Sequence, residues 1–201
     1  YTFGIEDIEA FGQIALQKDI GLHVDCCLGG FVAPFMEMSG FNFPKFDFRV
    51  PGVTAISCDT HKYAFAPKGS SVIMYSTHEL RQYQFFICPS WPGGVYASPA
   101  IAGSRPGNII AGCWAALMYH GKEGYIESCQ KICRNREIIA QGIKKIPQLK
   151  LMGNPSLCVV AFTSDHFDIF KVSDLMSKRG WSLNSLQRPV GVHICITYLI
   201  G

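Results

Sequence analysis

Charge is scarce in this sequence. Asp, Glu, Lys and Arg make up 16% of its 201 residues, against roughly 25% in an ordinary soluble chain. So charge-poor a surface points to one covered by further sequence or by another subunit. Long apolar runs are lacking too: none approaches the roughly 18 residues that a membrane span needs, the longest being Cys113–Tyr119 and Ile194–Ile200. No CxxC pair occurs among the nine cysteines, and no Cys/His cluster has the spacing of a zinc site, so no metal centre is expected. The cysteines lie mostly inside apolar runs, which fits free thiols in a reducing compartment rather than a disulfide framework. Lys+Arg 18 against Asp+Glu 15 is too balanced and too scattered for a nucleic-acid footprint. A signal peptide and an initiator Met are both missing. With Tyr1 close to a helical pattern and Gly201 just after a strand-like run, the sequence reads as a piece of a longer protein, truncated at both ends.

What the sequence does contain is apolar and patterned. Hydrophobic residues reach 48% and aromatics 12%, which excludes a disordered chain. Ile8, Phe11, Ile14 and Ala15 follow helical spacing behind Asp7, a ready N-cap, and Lys18-Asp19 closes that helix. Gly21–Asp25 then reads as a short buried strand ending in a carboxylate, followed by a Gly29-Gly30 loop. Val53–Cys58 is a second buried strand, with Asp59 at its end, and Ser70–Tyr75 a third. Strands that are apolar throughout predict an α/β sheet covered on both faces. The Pro/Gly/Ser-rich stretch from Pro89 to Gly107 is too long for an ordinary connection and reads as a functional or interface loop. A long helical pattern runs from Ile109 to about Ile146, interrupted near Gly121 and Gly124. Leu157–Phe162, Asp168–Arg179 and Val192–Leu199 then read as strand, helix and strand. The predicted division is residues 1–124 as part of a large domain and 125–201 as part of a smaller α+β one.

The chemistry concentrates in Ser57-Cys58-Asp59-Thr60-His61-Lys62-Tyr63. A lysine just past the C-terminal end of a buried strand sits where open α/β sheets build their sites. Partial desolvation there lowers an amine's pKa and makes it nucleophilic, as Schiff-base chemistry requires; the alternative is an exposed loop lysine. Asp25 ends another buried strand 37 residues earlier. In one parallel sheet both strand ends open on the same edge, so a carboxylate and an amine can grip one small molecule. Pyridoxal phosphate needs that pair: an amine for its aldehyde and a carboxylate to keep its ring nitrogen protonated. Taken alone, Asp25 also suits a helix N-cap or a turn. His23 shares a face with Asp25 by strand alternation, either supporting it or packing in the core. His78, His120, His166 and His193 show no partner spacing and read as surface or core positions.

Two stretches carry a family resemblance: His23-Val24-Asp25-Cys26-Cys27-Leu28-Gly29-Gly30-Phe31, and Asp59-Thr60-His61-Lys62-Tyr63-Ala64-Phe65-Ala66-Pro67-Lys68-Gly69-Ser70-Ser71. Together they resemble the fold-type I pyridoxal-phosphate enzymes of the group II decarboxylase branch. Tyr96-Ala97-Ser98-Pro99-Ala100-Ile101-Ala102-Gly103-Ser104-Arg105-Pro106-Gly107 is the more discriminating stretch, and it is similar to the sphingosine-1-phosphate lyase subfamily. Phe46–Val50 and Asn184–Gln187 agree with it.

The resemblance implies an aspartate-aminotransferase-like α/β fold, with part of the large mixed-sheet domain plus a small C-terminal domain. It implies that Lys62 holds pyridoxal phosphate, that Asp25 pairs with the ring nitrogen, and that His61 lies beside the cofactor phosphate. Gly103 and Ser104 would approach that phosphate from a partner subunit of a homodimer. Tyr96 and Lys68 would move protons or position substrate, Tyr96 also binding it. Arg105 would pair with the substrate phosphate or brace the loop. Tyr63 and Cys26 would be packing residues.

The implied reaction is carbon–carbon cleavage of a phosphorylated sphingoid base to a fatty aldehyde and phosphoethanolamine. The implied location is the endoplasmic reticulum membrane, with the catalytic domain facing the cytosol and the anchor upstream of this sequence. Rival readings are an amino-acid decarboxylase of the same branch and a non-catalytic truncated paralogue. The sequence departs from the family at Cys26, where a small residue such as Ala is usual, and at Ala64-Phe65, which replaces a Gly-Tyr-like pair. The family takes its ring-stacking residue and most of its phosphate cradle from sequence before Tyr1, so the 201-residue piece alone is expected to show little or no activity.

Overall fold

The computed structural model describes residues 5–200, so Tyr1 and Gly201, the outer ends of the two expected domains, lie outside the described residues. The chain forms two compact units: Asp7–Phe31 with Pro44–Gly121, and Val32–Phe43 with residues 122–200. The segment Val32–Phe43 therefore belongs with the C-terminal unit although it lies early in the sequence.

The first unit begins with helix α1 (Ile8–Lys18). Asp7 caps it by accepting a hydrogen bond from the Ala10 amide at 3.0 Å. Asp19 ends it in the left-handed conformation, its N–H reaching the carbonyls of Ala15 and Leu16. Strand β1 (Leu22–Asp25) pairs in parallel with β2 (Val53–Asp59), which pairs antiparallel with β3 (Ser71–Tyr75), giving the order β1-β2-β3. Burial of Val24, Val53, Ala55, Ile56 and Cys58 supplies the core beneath this sheet.

The expectation of a sheet covered on both faces is not met at β3. Val72, Ile73 and Met74 are all exposed among the described residues. Helix α2 (His78–Gln82) follows, and then a hairpin of β4 (Phe86–Cys88) and β5 (Tyr96–Ser98). The stretch expected as one long loop thus holds a strand: its aromatic and β-branched residues pair across a turn instead of remaining irregular. Helix α3 (Gly107–Lys144) breaks at Gly121, where φ is 57°, a left-handed value that glycine adopts without a Cβ penalty.

The second unit carries the antiparallel sheet β6-β7-β9-β8, built from β6 (Lys150–Leu151), β7 (Val159–Thr163), β8 (Asn184–Gln187) and β9 (Val190–Cys195), with helix α4 (Ile169–Ser177) capped by Asp168. Strand β9 stops at Cys195 rather than running on to Leu199. Its core joins Val160, Val192, Ile194 and Ile196 to Ile132, Cys129 and Cys133 of α3. The two helix cysteines lie beside Met36, with Cys133 Sγ 3.2 Å from its Sδ. All nine cysteines are free, and those in the core act as small hydrophobes.

Candidate active site

Strands β1 and β2 run in the same direction, with Asp25 opposite Ser57, so both chains leave the sheet at one edge. Asp25 ends β1 and Asp59 ends β2. The backbone ladder continues one step past β1, the Cys26 amide donating to the Ser57 carbonyl at 2.8 Å and the Asp59 amide to the Cys27 carbonyl at 3.3 Å. These bonds hold the turn after β1 against the turn that carries His61 and Lys62.

Cys27 is where the two turns meet. Its amide donates to Asp25 Oδ1 at 2.9 Å, and Lys62 Nζ donates to its Sγ. Asp25 thus bonds the Cys27 backbone and Lys62 its thiol, so both turns at this sheet edge are tied to one residue. Asp25 also accepts from Ser57 Oγ at 3.4 Å, and His23 Nε2 lies 2.9 Å from that hydroxyl. The support that alternation allowed for His23 thus runs through a residue of the neighbouring strand.

Lys62 Nζ makes an ion pair with Asp59 Oδ2 at 3.0 Å. The expectation of a lowered lysine pKa is reversed. The hydrogen bond to Cys27 raises it, burial lowers it, and the Asp59 carboxylate adds a further upward push that leaves the amine above its ordinary value. On the Asp59 side, burial pushes the carboxyl up, but hydrogen bonds from Ser71, Lys62 and Cys27 and the lysine charge outweigh it and bring it down to about 2. Ser71 Oγ approaches Asp59 Oδ1 to 2.7 Å. Because the folded value lies below the ordinary 3.8, this pairing stabilises the fold above about pH 4 and is lost as pH falls towards 2.

His61 turns Nδ1 towards the Ser70 carbonyl at 3.2 Å and Nε2 towards Asp59 Oδ2 at 3.8 Å. Thr60 is buried with its hydroxyl 2.6 Å from Ser70 Oγ. After the lysine, Tyr63 and Ala64 are buried, which fits the packing role expected of Tyr63, and Cys26 is buried as well. Phe65 takes a positive φ of 60°, and its ring packs 4.9 Å from His120, so that histidine has an aromatic neighbour that its spacing did not indicate.

The remaining expected residues are not drawn into this network. Tyr96 sits on β5 of the hairpin, against the rings of Phe86 and Trp91 at 6.2 Å each. Gly103 (φ 66°), Ser104 and Arg105 follow in the loop before α3, and Lys68 is exposed in the loop before β3. Among the described residues, no hydrogen bond or ion pair links Tyr96, Lys68, Ser104 or Arg105 to Lys62, Asp59, Cys27 or Asp25. Sequence reasoning missed Cys27, Ser57, Asp59 and Ser71 as parts of the site. A signal for Asp59 was present: a strand-ending carboxylate three residues before the lysine.

One glycine keeps this edge closed. A Cβ on Gly30 would lie 2.4 Å from Cys58 Cβ and 2.7 Å from the Cys26 carbonyl oxygen, the group to which the Gly30 amide is bonded. Gly30→Ala is expected to cost about 1–3 kcal/mol, as overpacking does, and to displace the turn carrying Cys27. A lowered melting temperature with weakened cofactor uptake in the full-length protein checks this; wild-type values in both contradict it.

The chain as a whole resembles known proteins. Residues 2–165 match the pyridoxal-dependent decarboxylase conserved domain. The chain is 53% identical over 196 residues to the sphingosine-1-phosphate lyase of Saccharomyces cerevisiae, covering 96% of this chain and 33% of that one. A solved sphingosine-1-phosphate lyase from Burkholderia pseudomallei superposes with a TM-score of 0.91 at 45% identity, covering 98% of this chain and 46% of the other. The glutamate decarboxylase of Lactobacillus brevis shares the fold, with a TM-score of 0.80 at 21% identity, over 98% of this chain and 48% of that one. The chain thus spans about a third of the length of the curated relatives it matches. Its fold is that of the fold-type I pyridoxal-phosphate enzymes, and the chain belongs to the pyridoxal-dependent decarboxylase family.

Proposed function

We propose that the full-length protein is an aldehyde-lyase that cleaves the C2–C3 bond of sphingosine 1-phosphate and related phosphorylated long-chain bases, releasing a fatty aldehyde and phosphoethanolamine. The observation that supports this reading is the parallel pairing of β1 and β2, which brings the turns after Asp25 and Asp59 together with Lys62 on the Cys27 thiol, in a chain about half identical to sphingosine-1-phosphate lyases. The donor set fits pyridoxal phosphate: Lys62 supplies the amine that holds the aldehyde, Asp25 the carboxylate for the ring nitrogen, and His61 a ring beside the phosphate. When bound, that cofactor supplies an electron sink for the carbanion left by bond cleavage.

The chain's own residues do the rest. The Asp25 carboxyl is oriented by the Cys27 amide and the Ser57 hydroxyl. Lys62 would hold the cofactor's aldehyde through its amine. Tyr96 and Lys68 position substrate or move protons, Gly103 and Ser104 reach the phosphate of the partner subunit's site, and Arg105 braces that loop or meets the substrate phosphate. The protein is proposed to act as a homodimer, and the exposed Phe86, Ile87, Trp91, Val95 and Tyr96 of the β4–β5 hairpin are surface that a partner subunit or further sequence would cover. No helix among the described residues is long and apolar enough to cross a membrane. The long apolar tail of the substrate supports placing the protein at the endoplasmic reticulum membrane, with its catalytic domain towards the cytosol. The large domain is proposed to run to residue 124 and the small one from 125.

Incubating the full-length protein with sphingosine 1-phosphate, and separately with aromatic and acidic amino acids, tests the reading. Fatty aldehyde from the first and no carbon dioxide from the second are expected. Carbon dioxide without aldehyde makes it a decarboxylase, and neither product with no cofactor bound makes it a scaffold.

A further inference from the structure

We propose that Asp59 is a positioning residue for Lys62: fixed by Ser71, it holds the free amine at the end of β2 as an ammonium ion and so sets the pH above which that amine is available to form a bond. The inference rests on the reading of Lys62 as the lysine that holds the cofactor. It deepens that reading by naming what controls the amine when no cofactor occupies it.

The geometry is specific. Asp59 and Ser71 are direct partners across β2 and β3, so the hydroxyl that approaches Asp59 Oδ1 to 2.7 Å is set by strand register rather than by a flexible side chain. That leaves Oδ2 for Lys62 Nζ at 3.0 Å. A carboxylate anchored through one oxygen and paired through the other loses little side-chain freedom on pairing, unlike most surface ion pairs.

Each element around the amine contributes to its electrostatics. From β2 come Asp59 and, one turn on, His61, whose Nε2 is 3.8 Å from the same carboxylate oxygen. The turn after β1 contributes the Cys27 thiol, with Asp25 one residue-link further away, and β3 contributes the neutral Ser71. Among these neighbours, Asp59 is the fully charged group in direct contact, so the balance favours a protonated lysine. The lysine is pushed up, most by its hydrogen bond to Cys27 and then by Asp59, and the carboxyl down, in line with that balance.

An ammonium ion has no lone pair, so bond formation by Lys62 requires loss of this proton. Asp59 therefore opposes premature reaction of the amine while keeping it at the sheet edge beside Cys27.

The test uses cofactor-free full-length protein and a trace amine-acylating reagent at a series of pH values, with the Lys62 peptide quantified by mass spectrometry. Exposed Lys122 serves as the internal reference. In D59N, Lys62 is expected to label about tenfold faster than in wild type near pH 8, because removing an adjacent opposite charge favours the neutral amine. Asp59→Glu restores the slow labelling, and Ser71→Ala shifts it in the D59N direction by less. A purely structural role would move melting temperature but not the Lys62-to-Lys122 labelling ratio. A D59N profile that superimposes on wild type, in protein that melts normally, overturns the proposal. If D59N does not fold, an unchanged profile in Ser71→Ala does the same. This readout needs no cofactor. Cofactor uptake by Lys62→Ala would therefore sink the reading of Lys62 while leaving the Asp59 result to stand or fall by itself.

Discussion

Lys62→Ala in the full-length protein is expected to abolish the visible absorbance of bound cofactor and to lower turnover at least about a thousandfold, the scale expected when a covalent anchor is removed. The argument is positional. Lys62 is the lysine whose amine reaches the sheet edge, bonded to Cys27 and paired with Asp59. Lys68, six residues later, is exposed in a loop and makes no ion pair among the described residues. Lys62→Arg is expected to fail as completely. A guanidinium keeps the positive charge for Asp59 but stays protonated at all working pH and cannot take the place of the amine. Absorbance spectra and aldehyde release together check this. An Ala variant that retains the cofactor spectrum would move the covalent role to another residue.

Asp25→Asn is expected to have the second-largest effect: cofactor bound but turnover down about 10²–10³-fold, comparable to losing a preorganised electrostatic contact in an active site. The substitution preserves shape, and the side-chain oxygen still accepts the Cys27 amide that orients Asp25. What disappears is the negative charge that holds a proton on the heterocycle. Asp25→Glu keeps the charge but misplaces it by one methylene, so it is expected to retain more activity than Asp25→Asn. Steady-state kinetics normalised to cofactor content separate chemistry from binding. Equal kcat values in wild type and Asp25→Asn would remove Asp25 from the mechanism.

The lower layers of this architecture were legible because local signals agreed with tertiary ones. Asp7 caps α1, Asp19 stops it, Asp168 caps α4, and the two apolar strands ending in Asp25 and Asp59 lie side by side in parallel. The break in α3 falls at Gly121, where a helical pattern met a residue able to take positive φ. The β4–β5 hairpin was hidden by the Pro, Gly and Ser residues between and after its strands, since three-residue strands offer too little alternation to read. Strands β6 and β8 were missed for the same reason, being short and paired only through tertiary contact.

At the site, Lys62 and Asp25 announce themselves through residue type and strand position. The groups that tune them do not. Ser71 reaches Asp59 through antiparallel register, and Ser57 reaches Asp25 through parallel register, neither of which a linear reading supplies. The sign of the lysine shift was misjudged for that reason. Burial alone lowers an amine's pKa, whereas the carboxylate and thiol beside Lys62 outweigh it. The exposed apolar residues of β3 and the β4–β5 hairpin accord with the low charge content of the sequence.

Borohydride reduction of the cofactor-loaded full-length protein, followed by digestion and mass mapping, reaches the central claim most directly. The account predicts a pyridoxyl-phosphate adduct on the peptide containing Lys62 and on no other lysine. An adduct elsewhere, or a loaded protein that yields none, would contradict it.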